Sequence, residues 1–182
     1  MSSRAAAVHS VHIYEGDSAL IGRLCGIVAS GLQTGDAVLI VATDFHRDQL
    51  VKQLEKAGID VRVAAREGRF TMIDAQETLS TFMRHGRPDR DLFTASVGQL
   101  LVDAKKNARS KHQGLTVFGE MVAVLWDEGK KQAAIELETL WNEALNERAF
   151  HLHCAYPRSG FINTDDAELA AICHSHSHVV VQ

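Results

Sequence analysis

Apolar residues follow two alternating patterns along this chain. Short continuous runs are separated by longer stretches in which apolar positions recur every three or four residues. Val11 to Tyr14 predicts a first strand. Leu20, Leu24, Ile27, Val28 and Leu32 then recur at helical spacing, with Gly31 and Gly35 marking the exit. Ala37 to Ala42 is uninterrupted and apolar, the pattern of a strand covered on both faces in a parallel sheet. A helix is predicted from His46 to Ala57, with Leu50, Val51 and Leu54 inward and Gly58 as its stop. Val61 to Ala65 and Phe70 to Ile73 read as two more short strands. Asp74 and Glu77 have capping-box spacing and open a helix through Met83, followed by a turn at Gly86-Arg87-Pro88-Asp89. A long helix is predicted from Leu92 to about Ser110, with Val97, Leu100, Leu101 and Ala104 on its apolar side. Leu115 to Phe118 is another central strand, and Lys131 to Arg148 another helix, carrying Ile135, Trp141, Ala144 and Leu145. Ala149 to Tyr156 reads as a strand ended by Pro157, and Asp165 with Glu168 caps a last helix through Ile172.

Strand–helix alternation of this kind implies parallel strands joined by right-handed helical crossovers. The expected fold is a three-layer α/β/α sandwich with a mostly parallel central sheet, formed by residues 9–182 as one domain behind a loose tail at 1–8. Ligands of such sheets bind beyond the carboxyl ends of the strands. Those ends fall at Tyr14-Glu15-Gly16-Asp17, Thr43-Asp44, Gly119-Glu120 and Tyr156.

Composition narrows the function classes. With 46% hydrophobic and 23% charged residues, the chain is not mostly disordered. No run approaches the ~18 consecutive apolar residues of a membrane helix, and the first seven residues lack the apolar segment of a signal peptide. A net charge of −4 with scattered basic residues argues against direct nucleic-acid binding. Three widely separated cysteines, Cys25, Cys154 and Cys173, fit reduced, buried thiols and a cytoplasmic setting.

The first strand-to-helix turn, Tyr14 to Leu20, occupies the natural phosphate position of a nucleotide-binding α/β fold. It has one glycine, no lysine and two carboxylates, Glu15 and Asp17, so it would repel a triphosphate. Glu120 follows a central strand, where a carboxylate either polarises water or accepts hydrogen bonds structurally. Glu138, Trp141 and Asn142 are neighbours on a helical wheel and fit either a polar interhelical network or a pocket wall. His174, His176 and His178 have spacing that could hold zinc or nickel, but near a helix end exposed histidines are the simpler reading, so no metal site is assigned. His151 and His153 share a strand face from which Cys154 points away, and His9 and His12 read as packing or hydrogen-bonding groups. No Gly-x-Ser-x-Gly elbow, zinc-finger cysteine pair or glycine-rich dinucleotide fingerprint occurs.

One ordered series of segments goes beyond these patterns. It comprises His9-Ser10-Val11-His12-Ile13-Tyr14, Gly31-Leu32-Gln33-Thr34-Gly35-Asp36, Asp74-Ala75-Gln76-Glu77-Thr78-Leu79 and Gly119-Glu120-Met121-Val122-Ala123-Val124-Leu125-Trp126. Leu137-Glu138-Thr139-Leu140-Trp141-Asn142, Cys154-Ala155-Tyr156-Pro157 and Ile172-Cys173 with His176-Ser177 complete it. Together they resemble the MEDS domain, a methanogen/methylotroph DcmR-type sensory domain, across nearly the whole chain. The resemblance implies a RecA/KaiC-like fold without a functional phosphate loop. It also implies a non-catalytic sensory role in prokaryotic signal transduction, in a histidine-kinase (two-component) or transcriptional-regulator setting. It supplies no catalytic residues and no cofactor. The expected partners are a signalling protein or a second copy, with a small organic ligand lined or supported by Tyr14, Glu120, Trp126, Glu138, Trp141, Asn142 and Tyr156. A pure interaction module with a filled cleft is the alternative, and an unorthodox nucleotide hydrolase using Glu120 a third reading.

Overall fold

The computed structural model describes residues 7–110, 114–161 and 166–181. Its elements run β1 (Val8–Tyr14), α1 (Asp17–Thr34), β2 (Ala37–Ala42), α2 (Asp44–Lys56), α3 (Arg62–Arg66), β3 (Phe70–Asp74), α4 (Ala75–Phe82), β4 (Met83–Arg84), β5 (Arg87–Pro88) and α5 (Arg90–Lys106). They continue with β6 (Leu115–Gly119), α6 (Met121–Asp127), α7 (Lys131–Glu147), β7 (His151–Pro157), a 3₁₀ turn at Arg158–Phe161, α8 (Asp166–His174) and β8 (His178–Val181). The main sheet has the order β3-β2-β6-β7-β1-β8, and every neighbouring pair is parallel. The three-layer α/β/α sandwich is therefore present.

The central strands explain the layering. All six residues of β2 are buried. Ala37, Leu39 and Val41 enter one core, and Val38, Ile40 and Ala42 enter the other. Each large aliphatic side chain buried this way contributes roughly 1.5–3 kcal/mol. Helices α1, α2 and α3 cover one face, while α4 to α8 cover the other. The chain moves from β1 to β2 to β3 through the first layer and returns to β6, β7 and β8 through the second. Opposite directions on opposite faces are what a single crossover hand requires. At β2 and β6 the outgoing connections diverge, so a crevice opens between the carboxyl ends of these adjacent strands.

Helix ends follow local chemistry. The Asp74 carboxylate accepts from Glu77 N at 2.9 Å, and that of Asp89 accepts from Leu92 N at 3.0 Å, which fixes the starts of α4 and α5. α1 ends at Gly35, whose φ of 83° suits glycine and lets Asp36 N reach Gly31 O at 2.9 Å. Gly31 is required for another reason: a Cβ there would lie 2.7 Å from Val38 Cγ2, so its absence lets α1 sit directly on β2.

Several expectations change. Val61–Ala65, read as a strand, supplies the N-cap and the first four residues of α3. Asp60 accepts from Arg62 N at 2.9 Å, a side-chain turn that starts a helical turn, and of α3 only Ala64 is buried. The expected turn at Gly86–Asp89 is part of a small β4–β5 hairpin; its two central residues, His85 and Gly86, have φ of 52° and 79°. α6 carried no periodic signal because six of its seven residues are buried all round. β1 starts at Val8, inside the stretch expected as tail, whereas the Asp165 cap lies outside the described residues. No helix among the described residues is long and apolar enough to cross a membrane.

Gly31→Val should lower stability by about 1–3 kcal/mol through overpacking against Val38. Gly26→Ala, on an exposed stretch of the same helix with nothing within 4 Å, should raise it by about 0.5–1 kcal/mol. Urea unfolding of both variants checks this; equal effects would contradict the close approach of α1 to β2.

Candidate functional site

At the crevice between β2 and β6 the structure closes a polar cluster. Glu120 directly follows β6 and is buried. Its carboxylate accepts from Thr43 N at 2.8 Å, from the Thr43 hydroxyl at 3.2 Å and from His46 Nδ1 at 2.5 Å. Thr43 lies at the end of β2 and His46 in the first turn of α2, so one carboxylate ties both strand ends together. The other ring nitrogen, His46 Nε2, faces Asp17 Oδ1 at 3.3 Å. A carboxylate can only accept, so both imidazole nitrogens carry protons when both contacts are made. Burial alone would lower the His46 pKa; hydrogen bonds and charge from Glu120 and then Asp17 outweigh it and raise the value above 6.5. Tyr14, beside this cluster, is pushed up by burial and by the charges of Glu120, Asp17 and Asp127. Only Glu15 and Gly16 link β1 to α1. A phosphate-binding loop is a longer glycine-rich segment ending in lysine.

A second cluster lies inside the sheet–helix layer. In β1 and β7, side chains alternate, so His9, Val11 and Ile13 share a face with Leu152, Cys154 and Tyr156. α7 packs on that face and places Glu138 there with 0% exposure. The turn between α8 and β8 brings in His176. Glu138 Oε1 accepts from the Tyr156 hydroxyl at 2.8 Å. Glu138 Oε2 is surrounded by Cys154 Sγ at 3.6 Å, His9 Nε2 at 3.3 Å and His176 Nε2 at 3.4 Å. Asn142 Nδ2 donates to Ser175 O at 2.9 Å, which turns its Oδ1 toward His9 Nδ1, also at 2.9 Å. His176 Nδ1 donates to Ile172 O at 2.7 Å. Burial would push the Glu138 carboxyl up, but His176 and His9 hold it down to about 2. Burial, together with the Glu138 charge, pushes the Cys154 thiol and the Tyr156 hydroxyl well up.

Residues 8–177 match the family model described as MEDS, methanogen/methylotroph, DcmR sensory domain. The chain belongs to the MEDS family. No curated protein matches it. Among solved structures it is similar to an Aeropyrum pernix ORC1 protein in complex with DNA, at 13% identity and a TM-score of 0.30. That likeness covers 93% of this chain but only 45% of the ORC1 chain.

The MEDS chain divides its seven sequence-predicted pocket residues among four places. Tyr14 and Glu120 lie at the crevice. Glu138, Asn142 and Tyr156 meet in the buried cluster. Trp126 packs edge-on against Tyr156 at 5.7 Å and donates to Gly160 O at 2.9 Å, beneath Lys131 Nζ. Trp141 is core, in edge contact with Phe93 at 5.3 Å. Of the three C-terminal histidines, only His176 turns inward; His174 and His178 are exposed. Sequence reasoning passed over His46, read His9 as a packing or hydrogen-bonding group, and read Cys154 as a buried structural thiol. His9 and Cys154 are 145 positions apart and only strand register joins them. The period-2 alternation of Leu152, Cys154 and Tyr156 was the available signal.

His46 has a raised pKa, so its contribution is fully present below about 6.5, the unfolded value, and fades as pH rises through the folded value. His46→Gln should cost about 2 kcal/mol near pH 6, hydrogen bonds to charged groups being worth about 1.5–3 kcal/mol. The difference from the native chain should shrink toward about pH 9, well above the ordinary imidazole value. Urea unfolding across this range tests it; a gap independent of pH would show that His46 acts only by packing.

Proposed function

We propose that this MEDS chain is a non-catalytic sensory module whose responsive element is the Asp17–His46–Glu120 relay at the crevice. The observation that carries this reading is the use made of Glu120. Its carboxylate is taken up by Thr43 and His46, so it serves as a clasp between strand ends rather than as a base for water. The short acidic turn after β1 fits a nucleotide cradle of RecA/KaiC type that has lost its phosphate chemistry.

A groove of about 320 Å³ lies beside this relay, between α1 and α2, bordered by Asp17, Ser18, Ile21, Phe45, Gln49 and Lys52. That is at the small end of ligand sites. Asp17 belongs to both groove and relay, and its side chain is 55% exposed. A small organic ligand that engages Asp17 competes with His46 for its carboxylate, so ligand-bound and ligand-free states differ in how α1 is tied to α2. Such a difference in affinity between two states is what sensing requires. The output is contact with a histidine kinase, a regulator or a second copy.

One observation favours a second reading, a pure interaction module. Edge strand β8 leaves Val179 and Val181 43% and 59% exposed. A partner strand could pair there without any small ligand.

A melting-shift and calorimetric screen with small organics and Mg-ATP separates the readings. The sensory reading expects an organic ligand whose affinity falls at least about tenfold in Asp17→Asn, a loss of about 1.4 kcal/mol, with no ATP turnover. If no ligand binds but a signalling partner is captured through β8, the interaction module stands instead. ATP hydrolysis abolished by Glu120→Gln would overturn both.

A further inference from the structure

We propose that His9, Glu138, Cys154 and His176 form a closed, four-ligand site for a zinc-type divalent metal ion. The inference does not rest on the sensory reading or on the crevice. The four donor atoms lie within 4.8 Å of one another, and all four residues are buried. They come from four separate elements: β1, α7, β7 and the α8–β8 turn.

Three features point to a metal rather than an ordinary hydrogen-bond network. The first is spacing. Tetrahedral zinc, with bonds of about 2.0–2.3 Å, holds its donors about 3.3–3.8 Å apart. His9 Nε2 stands 3.4 Å from Cys154 Sγ, and Glu138 Oε2 stands 3.3, 3.6 and 3.4 Å from His9, Cys154 and His176. Ordinary N–H···O bonds are about 2.7–3.2 Å long. The outward-facing bonds of the same side chains meet that standard at 2.7–2.9 Å, whereas the two nitrogens facing Glu138 do not. Among the described residues the buried Nε2 of His176 meets no partner in good hydrogen-bond geometry, its nearest contact being Glu138 Oε2 at 3.4 Å.

The second feature is the tautomers. The Asn142 amide oxygen and the Ile172 carbonyl can only accept, so Nδ1 of both histidines donates. In the neutral rings this leaves both Nε2 lone pairs aimed inward at the carboxylate. Holding the second imidazole nitrogen in this way is the usual support for a metal-binding histidine.

The third is charge. A divalent ion with one thiolate, one carboxylate and two neutral imidazoles gives a neutral centre. Binding forms one bond to each of S, O, N and N and releases the Cys154 proton, plus any proton held on a histidine, to solvent. Thiolate, imidazole and carboxylate donors in a closed tetrahedron favour zinc-type ions.

The test titrates the chelator-stripped chain with cobalt(II), a coloured stand-in for zinc. The expected result is one bound equivalent with the strong visible bands of tetrahedral cobalt and a near-ultraviolet sulfur charge-transfer band. Cys154→Ser should remove that band, and Asn142→Ala should weaken zinc binding roughly 10–100-fold in chelator competition. A His174→Gln, His178→Gln double variant should change neither. If Cys154→Ser does not fold, X-ray absorption of the zinc-loaded native chain gives the same decision: one sulfur at about 2.3 Å with nitrogen and oxygen neighbours at about 2.0–2.2 Å. Weak octahedral cobalt bands, a metal shell without sulfur, or a signal lost with His174 and His178 would each overturn the proposal.

Discussion

A carboxylate that has lost all contact with solvent is the constraint around which this half of the molecule is arranged. Glu138 sits between the sheet and α7, where an unpaired charge costs several kcal/mol. Its cost is offset only if β1, β7 and the α8–β8 turn arrive together over α7, bringing His9, Cys154, Tyr156 and His176 around it. The polar core thereby specifies geometry that the surrounding leucines and valines cannot. An apolar contact tolerates a slip of an ångström; a carboxylate facing four partners does not. The last strand, β8, is only four residues long and has two exposed valines, so its own burial holds it weakly. His176 N-terminal to it, and Ser177, whose N–H and hydroxyl both donate to His9 O at 2.8 Å, fasten it to β1.

The crevice solves the same problem with a different outcome. There too a buried carboxylate meets an imidazole, Glu120 with His46, but the second carboxylate, Asp17, reaches solvent. Water and salt screen that outer contact, so it is weak and exchangeable. The inner contact is shielded and stays. One site is therefore closed on every side, whereas the other is closed on one side and open on the other. On the sensory reading proposed above, a pair of this second kind suits a response to a solute, because Asp17 is joined through His46 and Glu120 to the ends of β2 and β6.

The layering was legible because buried parallel strands advertise themselves. Ala37–Ala42 is a continuous apolar run and Leu115–Phe118 is broken only by Thr116, and the helices between them keep their 3.6-residue period. α6 was silent for the opposite reason: a helix apolar all round has no period to detect. α3 was misread because Val61, Val63 and Ala65 alternate as a strand does, while the Asp60 side chain starts a helical turn. The site was harder. Glu138 and Asn142 stood out as a one-turn polar pair on an otherwise apolar helix face, and Tyr156 as a strand-end residue. What joins them to His9, Cys154 and His176 is the register of β1 on β7 and the fold-back of α8. Neither is written in local spacing. The histidines near the end drew attention as a set, yet His174 ends α8, His176 lies in the turn and His178 opens β8, so they share no face and only His176 is buried.

Replacing a buried ionic cluster by apolar residues of like volume is often neutral or stabilising in proteins generally. A core built only for stability would therefore do as well with apolar residues of like volume at all of these positions. The arrangement found here goes further than an ion pair needs. Two histidines are each held by their far nitrogen, a thiol is placed beside them, and the near nitrogens stand too far from the carboxylate for good hydrogen bonds. In the neutral rings the near lone pairs face the carboxylate and cannot donate to it. An ion that accepts four lone pairs at once removes that conflict.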